Sequence, residues 1–194
     1  MPEPTPDRPH LPDRPGLAAR LRALPPSCGP VRLVAVDGPS GAGKSTFARR
    51  LAAALDGAPL IGSDDFRVPW DADPLTWWPP FETGVLGPLR AGRPARLRRF
   101  RWHEETYGPE EEIPPAPVMI VEGVGAAWRA CPAAYRIWID APRPLRRARV
   151  LERDGAVFAA AWDAWSERER AHFTADATRR RADLIIDGTA LPPR

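Results

Sequence analysis

The stretch VAVDGPSGAGKST, residues 34–46, decides how the rest of this chain is interpreted. Gly38, Gly43, Lys44 and Ser45 satisfy the pattern G-x-x-x-x-G-K-[ST], in which a glycine-rich loop joins a strand to a helix. Glycines let the backbone curl so that successive N–H groups point at phosphate oxygens, and the following helix adds the positive end of its dipole. We therefore predict that this phosphate loop, residues 38–45, binds a nucleoside triphosphate.

Lys44 is the only lysine among the 28 lysine and arginine residues of the chain. A compact ammonium on a flexible stem can follow a transferring phosphoryl group, whereas a planar guanidinium would fit such a crevice poorly. Lys44 is therefore a predicted catalytic residue, and the Ser45 hydroxyl is a predicted ligand of Mg²⁺. The residues predicted to bind the nucleotide from this loop are Gly38, Ser40, Gly41, Ala42, Gly43, Lys44, Ser45 and Thr46.

Composition and charge exclude several classes of protein. The 194 residues suit one globular domain, and a net charge of +3 with interspersed signs does not indicate nucleic-acid binding. No apolar run is long enough to span a bilayer, and the proline-rich start lacks the apolar core of a signal peptide. Cys28 and Cys131 are far apart in the sequence, which favours reduced thiols. We expect a cytoplasmic protein that binds neither membranes nor nucleic acid; its oligomeric state stays open.

Short apolar runs alternate with helical patterns along most of the chain. Strands are predicted at residues 31–37, 58–63, 117–123, 135–140 and 182–187, and helices at 17–24, 45–57, 144–155 and 159–181. This alternation predicts an α/β fold of the P-loop NTPase type, with a parallel sheet covered by helices on both faces. We divide the chain into a proline-rich lead with a short helix, residues 1–29, and a single domain, residues 30–194.

The regular pattern breaks between about residues 67 and 115, where prolines and tryptophans accumulate. We interpret this region as an insert that binds the phosphate acceptor and closes over it. Residues 95–102 alternate enough to form a strand, expected in a hairpin at the edge of the sheet.

Two carboxylates follow predicted strands. Asp64 comes after the strand that follows the phosphate-loop helix, and Glu122 ends another strand, with Gly123 leaving room beside it. The carboxyl ends of parallel strands meet in the ligand crevice, and two carboxylates facing one phosphate loop require a cation between them. Ser45, Asp64 and Glu122 are therefore predicted to bind Mg²⁺. The alternatives are an N-cap role for Asp64 and a surface position for Glu122.

A third feature is a helix rich in arginine, expected to form a lid at about residues 142–155. Arg146, Arg149 and Arg153 lie at i, i+3 and i+7, along one helical face. A row of guanidiniums can neutralise the charge on a migrating phosphoryl group, although arginine-rich faces are often only solvated. The chain has neither the Asn-Lys-x-Asp motif of a GTPase nor an ABC-type signature sequence, which leaves a small ATP-using kinase.

Together these motifs resemble the uridine kinase and phosphoribulokinase branch of the P-loop kinases, over residues 31–188. The phosphate loop, SDDF at 63–66, VEG at 121–123, the lid arginines and ADLIIDG at 182–188 are similar to that family's motifs. The resemblance implies that Asp64 is the catalytic base and lies near the metal. It also implies catalytic roles for Arg149 and Arg153, and contacts from Arg146 and Arg149 to ATP.

The likeness weakens where the acceptor would bind. Arg67 stands where the family has an aromatic residue, Phe100 and Arg101 replace its Tyr-Asp pair, and His103 stands near its base-contacting histidine. The residues predicted to bind the acceptor are Asp64, Asp73, Trp78, Phe100 and His103. Two alternatives stay open: a surface position for the histidine, and tryptophans that pack rather than stack on a substrate.

The expected activity is transfer of the γ-phosphoryl group from ATP, with Mg²⁺, to a hydroxyl of a small molecule, a nucleoside of the uridine or cytidine type. One alternative is a non-nucleoside alcohol, such as a pantothenate-like or sugar acceptor. The other is a nucleotide-responsive regulatory protein without transfer activity.

Overall fold

The computed structural model describes residues 14–191. Of the proline-rich lead predicted at residues 1–29, residues 1–13 therefore lie outside the described residues. The strands are β1 (Arg32–Asp37), β2 (Leu60–Gly62), β3 (Ala95–Arg101), β4 (Thr106–Ile113), β5 (Val118–Glu122), β6 (Tyr135–Asp140) and β7 (Leu184–Asp187). The α-helices are α1 (Arg14–Ala23), α2 (Lys44–Ala54), α3 (Trp78–Phe81), α4 (Gly87–Arg90), α5 (Arg143–Asp154) and α6 (Ala159–Asp176). None of these helices is both long and apolar enough to cross a membrane.

Five of the strands form one parallel sheet in the order β2-β5-β1-β6-β7. The central strand β1 is apolar at every position from Leu33 to Val36, because the sheet is covered on both faces. Val34 and Val36 face a core shared with α1 and α2, whereas Leu33 and Ala35 face a second core. The predicted α/β fold is confirmed.

The insert, which was expected to close over an acceptor, contributes part of the second core. Trp77, Phe81 and Leu86 are fully buried against the sheet together with Met119 of β5. Helices α3 and α4 are joined by a π-helical turn, Glu82–Leu86, into one continuous helical segment. Burial of these large side chains contributes roughly 1.5–3 kcal/mol each, so this part of the insert stabilises the domain.

The hairpin differs from its expected place at the edge of the sheet. Within the part of the chain that the structure describes, strands β3 and β4 pair only with each other, in an antiparallel ribbon separate from the parallel sheet. A side-chain contact connects the hairpin to β2: Arg99 Nη2 donates a hydrogen bond to the carbonyl of Leu60, at 3.3 Å. The hairpin therefore stands beside β2 without extending the sheet.

The strand order places the functional loops at one edge. After β1 the chain crosses to the outer strand β2, returns through β5, and then passes to β6 on the other side of β1. The carboxyl ends of β1, β2 and β5 consequently lie side by side at the point where the strand order reverses, where open α/β sheets bind ligands.

Candidate active site

The phosphate loop connects β1 directly to α2, as the motif predicts. Gly43 adopts a left-handed φ of 105°, after which α2 begins at Lys44. The Lys44 side chain is buried, with 8% of its surface exposed, and its ammonium donates a hydrogen bond of 3.1 Å to the Pro39 carbonyl. The ammonium therefore lies folded back along the loop, where a phosphate oxygen bound by the loop would meet it.

Asp37, the residue before the loop, holds the loop to the turn that follows β5. Its fully buried carboxylate accepts hydrogen bonds from the amides of Gly38 (2.7 Å), Gly125 (3.0 Å) and Ala127 (2.8 Å). Burial raises the pKa of Asp37 to about 7, and the three amides and nearby Lys44 oppose that shift only in part. This carboxylate fixes the relative position of two loops at the edge of the sheet.

A cleft of about 230 Å³ opens beside the phosphate loop and is the site where the predicted metal ligands meet. Ser45, Asp64 and Glu122 all line it, although they come from α2, the turn after β2, and the end of β5. Gly123 has a φ of 141°, and a Cβ there would overlap the Ser63 side chain, so a glycine is needed for β5 and that turn to approach this closely. The other lining residues are Arg49, Leu60, Gly62, Asp65 and Arg99.

Asp64 and Asp65 do not alternate across a strand, because β2 ends at Gly62 and residues Ser63–Asp65 form a 3₁₀ turn. Asp65 accepts a hydrogen bond from the Gly62 amide at 2.8 Å and forms an ion pair with Arg99. The Asp64 side chain is exposed, and its contact to the Ser63 hydroxyl is long, at 3.5 Å. Asp64 is thus the carboxylate with capacity left for a ligand.

Arg99 reaches Asp65 from the point where the pairing of β3 with β4 is irregular. Arg98 pairs with Glu110 and Phe100 pairs with Tyr107, so β4 carries one extra residue here and Arg99 stands opposite it. A bulge bends the bulged strand and increases the local twist, which changes the direction of the side chains around it. Arg99 also pairs with Glu111 at 3.0 Å, so the hairpin and the turn after β2 are joined through one guanidinium.

The predicted row of arginines on α5 does face the phosphate loop, but its members have different partners. Arg146 donates hydrogen bonds to the carbonyls of Ala141 (3.0 Å) and Ser40 (3.1 Å). Arg149 donates to the carbonyls of Gly188 and Leu191, both at 3.1 Å, and more weakly to that of Gly41. Both guanidiniums are occupied by backbone oxygens, because α5 packs directly on the loop.

Arg153 lies one turn further along α5 and has the freest guanidinium of the three. Its hydrogen bonds go to the adjacent Asp154 at 2.6 Å. This contact raises the pKa of Arg153, and the carboxylates of Asp64 and Glu122 raise it further. The charge of the cleft carboxylates Asp64 and Glu122 therefore reaches Arg153.

Four residues predicted to bind the acceptor do not line the cleft. Trp78 is buried in the second core and donates its indole N–H to the Gly125 carbonyl at 3.0 Å, so it packs and does not present a stacking face. Phe100 is buried between the rings of Trp102 and Tyr107. The other two are His103, exposed in the β3–β4 turn, and Asp73, whose carboxylate caps its own turn at the Leu75 amide.

Comparison with known proteins decides the family. The cytidylate kinase of Natronomonas pharaonis is 30% identical to this chain over 158 residues, which are 80% of this chain and 73% of that protein. The chain belongs to the P-loop kinases. The cytidylate kinase of Halobacterium salinarum is 34% identical to this P-loop kinase over 131 residues, 66% of this chain and 62% of that protein. No family model matches the chain.

Solved structures support the same fold for this kinase. A possible uridine kinase from Bacillus stearothermophilus superimposes with a TM-score of 0.64 at 17% identity, covering 90% of this chain and 98% of that one. A protein from Silicibacter sp. TM1040 assigned as a fructose transport system kinase gives a TM-score of 0.59 at 22% identity, covering 89% and 98%. At these identities the likeness shows the fold alone, so the predicted uridine kinase branch is not decided by it. The family membership supports a phosphotransferase acting on a nucleotide or another small molecule.

The donor atoms of this kinase fit ATP and Mg²⁺, which the family uses generally. Within residues 14–191 no group of three or more His, Cys, Asp or Glu side chains is arranged to hold a metal by itself. The cleft instead offers one hydroxyl and two carboxylates, from Ser45, Asp64 and Glu122. Mg²⁺ is typically held by one or two carboxylates, with waters and substrate phosphates completing its coordination. These oxygens are therefore a suitable partial ligand set.

Three polar residues of this kinase were missed by reasoning from sequence: Asp37, Arg99 and Glu169. Asp37 ends an apolar strand, and a carboxylate at such a position could have been read as a buried anchor. Glu169 is 1% exposed, although it sits among charged residues of α6 that suggest a solvated helix. Arg99 gave no local signal, since its orientation depends on the irregular pairing with β4, which carries the extra residue opposite it.

Proposed function

We propose that this protein transfers the γ-phosphoryl group of ATP to a hydroxyl of a nucleoside-like small molecule. The observation that carries the proposal is the cleft in which Ser45, Asp64 and Glu122 meet beside the phosphate loop. Each is contributed by a different segment, so their convergence is a property of the fold rather than of local sequence.

In this reaction the acceptor hydroxyl oxygen forms a bond to the γ-phosphorus while the bond to the bridging oxygen breaks and ADP leaves with that electron pair. Asp64 takes the proton of the attacking hydroxyl, a role for which its exposed and weakly engaged carboxylate is suited. Lys44 and Arg153 stabilise the charge that develops on the transferring group. Ser45, Asp64 and Glu122 would hold Mg²⁺, which when bound neutralises negative charge on the phosphate oxygens.

A second candidate acceptor is a nucleoside monophosphate, which carries a phosphate group that a nucleoside lacks. Two cationic side chains, Arg49 and Arg99, line the same cleft as Asp64. Arg99 is engaged by Asp65 and Glu111, whereas Arg49 has no hydrogen bond or ion pair to any other described residue. A guanidinium is suited to a phosphate group, and both sequence relatives reported above are named cytidylate kinase.

The test is a panel of acceptors scored for ADP release with Mg-ATP: uridine, cytidine, CMP, pantothenate and fructose. Turnover with a nucleoside supports the proposal, whereas turnover with CMP alone supports the second candidate. The variant Arg49→Ala separates the two, because it should raise the KM for CMP about tenfold or more and leave the KM for cytidine unchanged. Mg-ATP binding without ADP release for any acceptor would contradict transfer and favour a regulatory role.

A further inference from the structure

Ser40, the third residue of the phosphate loop, is held at all three of its polar groups by helices α5 and α6. Its amide donates to Glu169 Oε2 at 2.9 Å, and its carbonyl accepts from Arg146 Nη1 at 3.1 Å. Its hydroxyl accepts a hydrogen bond of 2.9 Å from the indole N–H of Trp165. The amide predicted to bind a phosphate is thus already bonded to a carboxylate of the protein itself.

Arg146 and Glu169 also bond to each other, at 2.9 Å, in a nearly dry environment. The two side chains are 10% and 1% exposed, respectively. Burial raises the pKa of Glu169, and the amide of Ser40, Lys44 and Arg146 oppose that shift. A buried ion pair adds little stability compared with well-packed apolar residues, because desolvation offsets the attraction. The pair is therefore not explained by a gain in stability. Its contacts to the amide and the carbonyl of Ser40 indicate a role in holding the phosphate loop.

The contact between α5 and the loop continues at the next residue. A Cβ on Gly41 would lie 2.5 Å from the carbonyl oxygen of Arg146, so backbone packs on backbone and only a glycine fits. Because Ser40 and Gly41 are fixed in this way, α5 and α6 cannot shift relative to the sheet without moving the loop. The phosphate loop and α5, the predicted lid helix, are therefore expected to move together.

We propose that Arg146 and Glu169 are positioning residues that preorganise the phosphate loop for its nucleotide through Ser40. This inference rests on one part of the proposed function, namely that the phosphate loop binds ATP, and does not depend on the identity of the acceptor. It changes the role predicted for Arg146 from phosphate ligand to support of the loop. Without the pair, ATP would have to order the loop on binding, which weakens binding and leaves the chemical step intact.

The experiment compares a double variant, Arg146→Met with Glu169→Leu, with the wild type. Apolar replacement of both partners should leave the melting temperature near that of the wild type, since no charge is left buried alone. The dissociation constant for Mg-ATP, measured by calorimetry without acceptor, should rise about tenfold, and the KM for ATP should rise with it while kcat changes less than about threefold. A folded double variant with unchanged Mg-ATP affinity would overturn the proposal.

Asp163→Asn is the matched control. Asp163 joins α6 to Arg143 (2.8 Å) and Arg147 (3.2 Å) of α5, so it links the same two helices at an exposed position without contacting the loop. The Mg-ATP affinity of Asp163→Asn should stay within about twofold of that of the wild type, since exposed ion pairs contribute little to stability. An equal loss of affinity in this control would show that general α5–α6 packing matters rather than the grip on Ser40, and would also overturn the proposal.

If the double variant does not fold, Glu169→Gln replaces it. Glutamine keeps an oxygen for the Ser40 amide but removes the charge facing Arg146, so Mg-ATP affinity should fall at least about threefold below that of Asp163→Asn. Equal affinities of Glu169→Gln and the control would contradict the inference. A wild-type protein that binds no Mg-ATP would contradict the proposed function as well, whereas a wild type that binds it beside unaffected variants contradicts this inference alone.

Discussion

Arg99 of the hairpin forms an ion pair with Asp65, the carboxylate next to Asp64 in the chain. The pair gives the two adjacent carboxylates different partners. Asp65 also accepts a hydrogen bond from the Gly62 amide, whereas the Asp64 carboxylate has a long contact to the Ser63 hydroxyl. One carboxylate fastens the turn after β2 to the hairpin, and its neighbour is left to face the cleft.

This difference predicts that Asp64→Asn mainly lowers turnover, whereas Asp65→Asn mainly lowers thermal stability. Asp64→Asn should lower kcat at least about 10²-fold, because asparagine cannot take a proton, and should leave the melting temperature nearly unchanged. Asp65→Asn should lower the melting temperature, because Arg99 loses one of its two carboxylate partners, and should keep kcat within about tenfold of the wild type. Measuring kcat and thermal melting for both variants tests this, and the reverse order would show that Asp65 is the base.

Lys44→Ala should abolish most transfer activity with a small loss of stability. The ammonium is mostly buried, but it donates a hydrogen bond to a carbonyl, that of Pro39, and not to a buried carboxylate, so its removal costs about 1–3 kcal/mol at most. ADP release with any accepted substrate should fall by at least about 10²-fold, because the charge that follows the phosphoryl group is lost. Unchanged turnover in a folded Lys44→Ala protein would rule out phosphoryl transfer at this loop.

Arg149→Ala and Arg153→Ala should separate support of the loop from catalysis. Arg149 holds the carbonyls of Gly188 and Leu191, so its removal should lower the melting temperature. Among the described residues Arg153 donates hydrogen bonds only to its neighbour Asp154, and it lies in the field of the cleft carboxylates. Its removal should therefore lower kcat at least about tenfold at unchanged Mg-ATP affinity. Full turnover in Arg153→Ala would make this end of α5 an ordinary solvated surface.

The pH dependence of stability should report the buried carboxylate of Asp37. Burial raises its pKa to about 7, so between about pH 4 and pH 7 the native state retains a proton that the unfolded chain has released. The free energy of unfolding should therefore fall as pH rises through this window. In Asp37→Asn the unfolding free energy should fall less steeply with pH, by up to the slope that about one bound proton produces. Urea unfolding at several pH values measures this slope.

The control for this experiment is Asp163→Asn. Asp163 is exposed, and the hydrogen bond from Arg147 lowers its pKa, so it titrates below the window used for Asp37. In Asp163→Asn the change of the unfolding free energy with pH between pH 5 and pH 7 should match that of the wild type. A wild-type slope in Asp37→Asn would show that this carboxylate is already ionised across the window.

The sequence by itself determined the parallel sheet, the phosphate loop and the meeting of Asp64 and Glu122 in one cleft. Strands buried on both faces carry uninterrupted apolar runs, and the motif fixes what must follow the first of them, so β1, the loop and α2 could be predicted from local pattern. Asp64 and Glu122 could be placed together because parallel strands bring their carboxyl ends to one edge. These are rules that depend on neighbours in the chain or on strand direction.

Only the tertiary structure decided the rest of the site. Trp78 and Phe100 were predicted at the acceptor but are buried, because an aromatic side chain packs equally well in a core and at a ligand. Arg99 stands opposite a bulge in the partner strand β4, which the sequence around Arg99 does not reveal. Arg146, predicted to contact phosphate, is instead taken up by Glu169 and Ser40, which are 23 and 106 residues away in the chain. Which donor meets which acceptor depends on three-dimensional packing, since a guanidinium binds carbonyls, carboxylates and phosphates alike.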